Sequence, residues 1–231
     1  MKKILNAKWY DYLFNFVCLV ILVTIGVVFK SSPLIITVNV ISIIMMLFIT
    51  KGSFVGTILQ IFNAAFYAFI SFQSAYYGEV ICSVLITIPL TIFSAITWIK
   101  NRRKGSAIIK VNKIKLKEWV IVLFSSLLTF VGVFFLLRAF NTANLVVSSV
   151  SLTLGIYANY LLMRRCEYNF VIYIINNLVC ITLWMFLVVS DISYLPLVIN
   201  YFMLLIYNTI GLINWLKLKK EVKNKKGEIY E

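Results

Sequence analysis

The chain has 231 residues, of which 62% are hydrophobic and only 13% charged, against about 25% charged in soluble domains; it is a polytopic membrane protein. A formal charge of +14 would suggest nucleic acid for a soluble protein, but here the basic residues gather on one side of a membrane and imply no nucleic-acid partner. There is no His, which excludes imidazole zinc sites and histidine acid–base catalysis.

Lys2, Lys3 and Lys8 precede an apolar run from Tyr12 to Phe29. No small-residue cleavage site follows, so the run reads as a retained first helix rather than a signal peptide. Apolar runs over Leu34–Thr50, Ser53–Gln73 and Glu79–Ile99 come next, with very short loops. After the hydrophilic stretch Lys100–Lys117 come Glu118–Leu137, Ala143–Met163, Tyr168–Ser190 and Tyr194–Leu216, then a charged tail. Each run has about the ~20 residues that cross a bilayer core, and Leu34–Thr50 is the shortest. Pro89 should kink the fourth span. Cys18, Cys82, Cys166 and Cys180 lie in or beside apolar runs without CxxC spacing and read as small buried hydrophobes.

Eight spans put every Lys and Arg except Lys30 and Arg138 on one side. The positive-inside rule then places both termini in the cytoplasm. The stretch Lys100–Lys117 and the tail Lys217–Lys226 read as cytoplasmic anchors beside anionic lipid. A weak repeat supports the count: Thr50-Lys51-Gly52 matches Arg164-Arg165-Cys166, which sets Asn63 on Asn177, and Trp98-Ile99-Lys100 matches Trp215-Leu216-Lys217. The second to fourth and sixth to eighth helices thus form two three-helix units, held parallel by the single helix between them. Parallel repeats with a site between them are a transporter architecture.

Phe170, Tyr173, Asn177 and Trp184 share one helical face, within roughly 60°. Gln60, Asn63 and Tyr67 share another, continued by Ser71. Ser83, Thr87, Thr91, Ser94 and Trp98 form a stripe on the fourth helix, Ser149, Thr153, Tyr157 and Tyr160 on the sixth, and Asn200, Tyr207, Gly211 and Asn214 on the eighth. Any one stripe fits interhelical packing, where polar pairs contribute about 0.6 kcal/mol. Five together suit a cavity for a neutral or singly charged, hydroxylated, ring-bearing solute. Asp11, Glu79, Glu118, Glu167 and Asp191 all fall at span ends or in loops, whereas proton relays place carboxylates mid-membrane. Facilitated diffusion is therefore favoured over ion coupling. An enzyme is disfavoured for want of an acid–base pair or activated nucleophile, and no ATP-binding motif or cofactor is expected.

The residues of Lys51–Lys104 and Ser149–Lys217 resemble the PnuC-type nicotinamide riboside transporters. That family has a Gly-x-x-Asn motif, an aromatic pair and a Phe-Gln-x-x-x-Tyr exit, matched here by Gln60-Ile61-Phe62-Asn63, Tyr67-Ala68, Phe72-Gln73 and Tyr77. Its Gly-Trp-x-x-Trp before a basic loop is matched by Ser94-Ala95-Ile96-Thr97-Trp98. Its basic pair followed by Trp-x-x-Trp-x-x-x-Asn becomes Arg164-Arg165 and Phe170-x-x-Tyr173-x-x-x-Asn177, and its last helix becomes Asn208, Gly211, Trp215 and Lys217. Both tryptophans of Trp-x-x-Trp, the glycine at Gln60 and the first Trp at Ala95 are departures.

The resemblance implies an all-α fold in which an extra first helix (residues 1–33) precedes a SWEET-like bundle. That bundle comprises a first three-helix repeat (34–99), a basic loop and linker helix (100–142) and a second repeat (143–217), with a charged tail (218–231) after it. It implies a homotrimer in the bacterial inner membrane, carrying an unphosphorylated vitamin that a separate kinase traps. The implied substrate-binding residues are Asn63, Tyr67, Gln73, Trp98, Phe170, Tyr173, Asn177, Trp184 and Asn208. Thiamine or deoxynucleosides are alternative solutes, and a non-transporting vitamin-binding subunit of a multi-part importer is an alternative role.

Overall fold

Lipid offers a backbone no hydrogen-bond partners, so each apolar run must satisfy its own amides as a helix. In the computed structural model, which describes residues 7–74, 76–102 and 108–227, each run does so. The elements are α1 (Trp9–Val28), α2 (Pro33–Thr50), α3 (Phe54–Gln73), α4 (Tyr77–Cys82), a π-helical turn (Ser83–Thr87), α5 (Ile88–Lys100), α6 (Leu116–Ala139), α7 (Leu145–Met163), α8 (Asn169–Ser190) and α9 (Leu195–Gly227). Among the described residues there are 8 spans long and apolar enough to cross a membrane, with α4, the π turn and α5 making one of them, and no strand. Lys2, Lys3, Arg103 and Lys104, and residues 228–231 of the tail, lie outside the described residues.

Two differences from the sequence reading have simple causes. Helix α9 runs past Leu216 to Gly227, because the Lys-rich stretch there favours helix and contains no Pro. Pro89 has no N–H to donate and its ring crowds the carbonyl four residues back. The preceding turn widens to π geometry, with Ile88 N–H bonding Ser83 O. The span thus continues through the Pro with a local bulge.

Corresponding turns in the two halves are built alike. At the end of α2, Gly52 N–H donates to Ile49 O (2.9 Å) and Ser53 N–H to Phe48 O (2.9 Å); at the end of α7, Arg165 N–H donates to Leu162 O (2.9 Å) and Cys166 N–H to Leu161 O (2.9 Å). Gly52 (φ 71°) and Arg165 (φ 58°) both take the left-handed conformation these turns need. The structural match therefore runs one residue out of step with the sequence match, pairing Gln60 with Tyr173 and Asn63 with Asn176. The turns after α1 and α6 also correspond, with Lys30 (φ 51°) and Asn141 (φ 48°) in equivalent places. So do the anchors of those helices. Asp11 in the first turn of α1 pairs with Lys51 at 2.7 Å, and Glu118 in the first turn of α6 pairs with Arg164, Nε to Oε1 at 2.6 Å and Nη2 to Oε2 at 2.8 Å. Helix α1 packs on α2 and α9, and α6 on α7 and the α4 span; the first helix and the linker helix thus hold equivalent peripheral places. Helices α2 and α7 are the most buried of the spans.

The segment between α5 and α6 is tied across the basic end of the bundle. Ile109 N–H donates to Gly52 O (2.9 Å) and Asn112 N–H to Arg165 O (3.0 Å), one bond to each of the two matched turns. Ile109 is fully buried and packs in the cluster that contains Trp98 and Trp215.

Candidate functional site

Between the two three-helix units lies a cavity of about 170 Å³. Helix α2 contributes Met45, Met46 and Ile49; α3 contributes Gln60, Asn63, Ala64 and Tyr67; the π turn contributes Ser83 and Thr87. From the second unit come Asn159 of α7, Phe170, Tyr173, Asn176 and Asn177 of α8, and Tyr201, Leu204 and Asn208 of α9. Both residues that the π turn presents to the cavity are hydroxyl-bearing, and such turns recur at functional sites.

Six of the nine substrate-binding residues implied from the sequence meet at this cavity: Asn63, Tyr67, Phe170, Tyr173, Asn177 and Asn208. Three do not line it. Gln73 is the last residue of α3 and is exposed. Trp184 is fully buried beyond the cavity, toward the Asp191 end, stacked on Tyr194 (centroids 6.0 Å, 22°) with Tyr67 and Tyr76 at its edges. Trp98 is fully buried beyond it toward the basic end, 5.4 Å from Trp215, which in turn lies 5.1 Å from Phe170. An aromatic cluster thus bounds each end of the cavity.

The tryptophans at the basic end join the two units reciprocally. Trp98 Nε1 donates to Leu162 O (2.9 Å) and Trp215 Nε1 donates to Ile49 O (3.0 Å). Each unit's last helix therefore bonds the matched terminal carbonyl of the other unit's first helix. Gly211 makes the packing here possible, because a Cβ at that position would lie 2.4 Å from Phe170 Cε1.

The cavity wall is an amide network. Asn159 Nδ2 donates to Gly155 O (2.9 Å), a carbonyl that can only accept. Its Oδ1 therefore faces the cavity and accepts from Gln60 Nε2 (2.8 Å) and Tyr173 Oη (2.9 Å). Gln60 Nε2 also donates to Tyr173 Oη at 3.3 Å, so side chains from the two units meet at matched positions. Asn63 Nδ2 donates to Val38 O (3.0 Å). Four amide atoms around the cavity are buried without a protein partner: Gln60 Oε1, Asn176 Oδ1, Asn177 Nδ2 and Asn208 Oδ1. Leaving such groups unpaired costs about 1–3 kcal/mol each, and a hydrogen-bonding solute repays it. Among the described residues, no charged side chain lines the cavity.

Two stripes read from the sequence face elsewhere. On α7, Tyr157 Oη bonds Thr129 Oγ1 of α6 (3.0 Å) and Tyr160 donates to Glu118 (2.8 Å). That face holds the linker helix, and Asn159, one face over, enters the cavity. On α9, Asn200 accepts from Ser42 of α2 (2.9 Å) and Tyr207 from Asn15 of α1 (2.9 Å), while Tyr201 and Asn208 face the cavity. Sequence reasoning missed Asn159, Asn176 and Tyr201; a census of every amide within the spans would have found the first two.

At the basic end the bidentate hydrogen bonds that Arg164 donates to Glu118 hold its guanidinium above its ordinary range. Burial, with the Arg164 charge second, brings Arg165 down. Burial pushes the Cys166 thiol up to about 11, which keeps it protonated at neutral pH. All four cysteines are buried and none forms a disulfide.

A polar cavity walled by both halves of a bundle of membrane spans defines a multi-pass solute transporter. The chain belongs to the nicotinamide mononucleotide transporter family, whose family model matches residues 32–217. It is 25% identical over 183 residues to the nicotinamide riboside transporter PnuC of Neisseria mucosa, covering 77% of this chain and 70% of that protein. Its fold is that of the crystal structure of the vitamin B3 transporter PnuC, with a TM-score of 0.79, 21% identity and 94% of each chain covered.

Proposed function

We propose that this protein carries nicotinamide riboside across the bacterial cytoplasmic membrane by facilitated diffusion, with its termini in the cytoplasm. The observation that carries this reading is the cavity itself. Its buried unpaired amides, Gln60, Asn176, Asn177 and Asn208, suit the hydroxyls and carboxamide of a riboside, and the rings of Phe170 and Tyr173 stand beside them. With no cationic side chain among the lining residues, a phosphate would enter without a counter-charge, at a large desolvation cost. This favours the riboside over its mononucleotide.

The cavity is smaller than ordinary ligand pockets, roughly 300–1,000 Å³. A nucleoside therefore needs the two units to part, and alternate parting at the two aromatic ends would move it across. Asn63, Asn177 and Asn208 bind the polar groups in this reading, Phe170 and Tyr173 flank the ring, Tyr67 lines the route, and Trp98 and Trp184 belong to the closures. A separate kinase would trap the product inside, and the chain itself performs no chemistry. The peripheral faces of α1 and α6 meet lipid or the other copies of a homotrimer. Calorimetry of the purified protein with nicotinamide riboside tests the reading, with the mononucleotide, thiamine and deoxynucleosides as competitors. Selective riboside binding supports it; preferred binding of the mononucleotide or of thiamine overturns it.

A further inference from the structure

We propose that Gln60 determines specificity, its Oε1 accepting a hydrogen bond from the ring carboxamide of the solute and thereby rejecting the corresponding carboxylate. This rests on the riboside reading above. The orientation of Gln60 follows from its partners, which is how the two ends of an amide are told apart. Gly155 O fixes Asn159 Nδ2, which leaves Asn159 Oδ1 as an acceptor for Gln60 Nε2. The remaining hydrogen on Gln60 Nε2 goes to Tyr173 Oη, whose own proton goes to Asn159.

The donors of Gln60 and Tyr173 are thereby used up. What the pair offers a solute is acceptors alone, foremost Gln60 Oε1, buried and without a partner. It stands at the hydroxyl end of Tyr173, so a substituent on a ring lying beside Tyr173 reaches it. A carboxamide supplies the N–H that this oxygen lacks. A carboxylate supplies another acceptor and a negative charge, and finds no donor on this pair. Sites that hydrogen-bond a substrate group reject analogues lacking it far more strongly than apolar pockets distinguish a methylene.

The test measures calorimetric affinities of the full chain for three ribosides, bearing a carboxamide, a carboxylate or no substituent on the pyridinium ring. They are measured in the wild type and in Gln60→Met, which is close in size and has no acceptor oxygen. The wild type should prefer the carboxamide to the carboxylate by at least ~100-fold and to the bare ring by roughly 10-fold. Gln60→Met should weaken only the carboxamide riboside, to within a few-fold of the bare ring. A wild type that binds carboxylate and carboxamide equally overturns the proposal without any variant. Full discrimination retained by Gln60→Met overturns the role of Gln60 and leaves the riboside reading standing. A wild type that binds none of the three overturns both.

Discussion

Gly211→Ala probes how tightly the cavity wall is fixed. An added Cβ would stand 2.4 Å from Phe170 Cε1, 2.7 Å from Cζ and 2.8 Å from Cδ1, where carbon atoms ordinarily sit about 3.5–4.0 Å apart. The ring must therefore move by about 1 Å. It is fully buried and has Trp215 on another side, so the free direction is into the cavity that it lines. Overpacking of this kind costs about 1–3 kcal/mol. If that cost falls on the solute-bound state, affinity drops by roughly 5- to 150-fold. Calorimetry with nicotinamide riboside and uptake into proteoliposomes would both read the loss, and adding Phe170→Leu should relieve the clash and restore thermal stability without restoring the ring that flanks the solute. Unchanged affinity and uptake in Gly211→Ala would refute the assignment of Phe170 to a rigid solute-facing wall.

Asn177→Leu should abolish uptake while leaving thermal stability in detergent unchanged or slightly raised, since it removes a buried unpaired amide; uptake at the wild-type rate would show that the amide does not touch the solute. Trp98→Phe and Trp215→Phe should each lower stability by about 1 kcal/mol, and by similar amounts. Each deletes one indole bond, while Leu162 O and Ile49 O keep their backbone donors. Thermal melts in which one substitution is costly and the other neutral would contradict the reciprocal lock. A fluorescent protein fused after Glu231 should fold and fluoresce, and a phosphatase fused there should be inactive; the opposite pattern would invert the orientation inferred from Lys and Arg placement.

The spans were legible because membrane thickness fixes their length and because a backbone in lipid has no alternative to helix. The azimuth of the α3 and α8 faces was legible too, since helical periodicity groups Gln60 with Asn63 and Tyr67, and Phe170 with Tyr173 and Asn177. Depth was not. Periodicity carries a stripe onward at 1.5 Å per residue, so Trp184 lies roughly 10 Å beyond Asn177 and Gln73 roughly 9 Å beyond Tyr67, past the cavity in each case. The faces of α7 and α9 were misread for a different reason. Each carries polar residues on two sides, one meeting α6 or α1 and the other meeting the cavity, and sequence does not rank the two. The one-residue slip in the repeat has the same root: few identities bind the halves, whereas the matched turns at Gly52 and Arg165 are defined by backbone hydrogen bonds.

The near-symmetry of the two units makes the difference between the two ends of the bundle informative. At the basic end both indole N–H groups are bonded, and the strap through Ile109 and Asn112 adds a bond to each matched turn. At the Asp191 end Trp184 is packed among aromatic rings, yet its Nε1 is buried without a partner. Parting the helices at the Trp184 end hydrates an N–H that closure leaves unpaired, a gain of about 1–3 kcal/mol against the packing lost. Parting them at the basic end breaks bonds that closure had made. The Trp184 end, which is the outside in the proposed orientation, is tied by hydrogen bonds of its own, Ser74 Oγ to Tyr194 Oη (3.4 Å) and Asn144 Nδ2 to Tyr76 Oη (3.4 Å), but its indole adds none. A solute entering there meets the unpaired amides of Gln60, Asn176, Asn177 and Asn208, on both sides of the seam between the units. On the proposed reading, its hydrogen bonds to them would offset the loss of the two indole bonds when the basic end parts toward the cytoplasm.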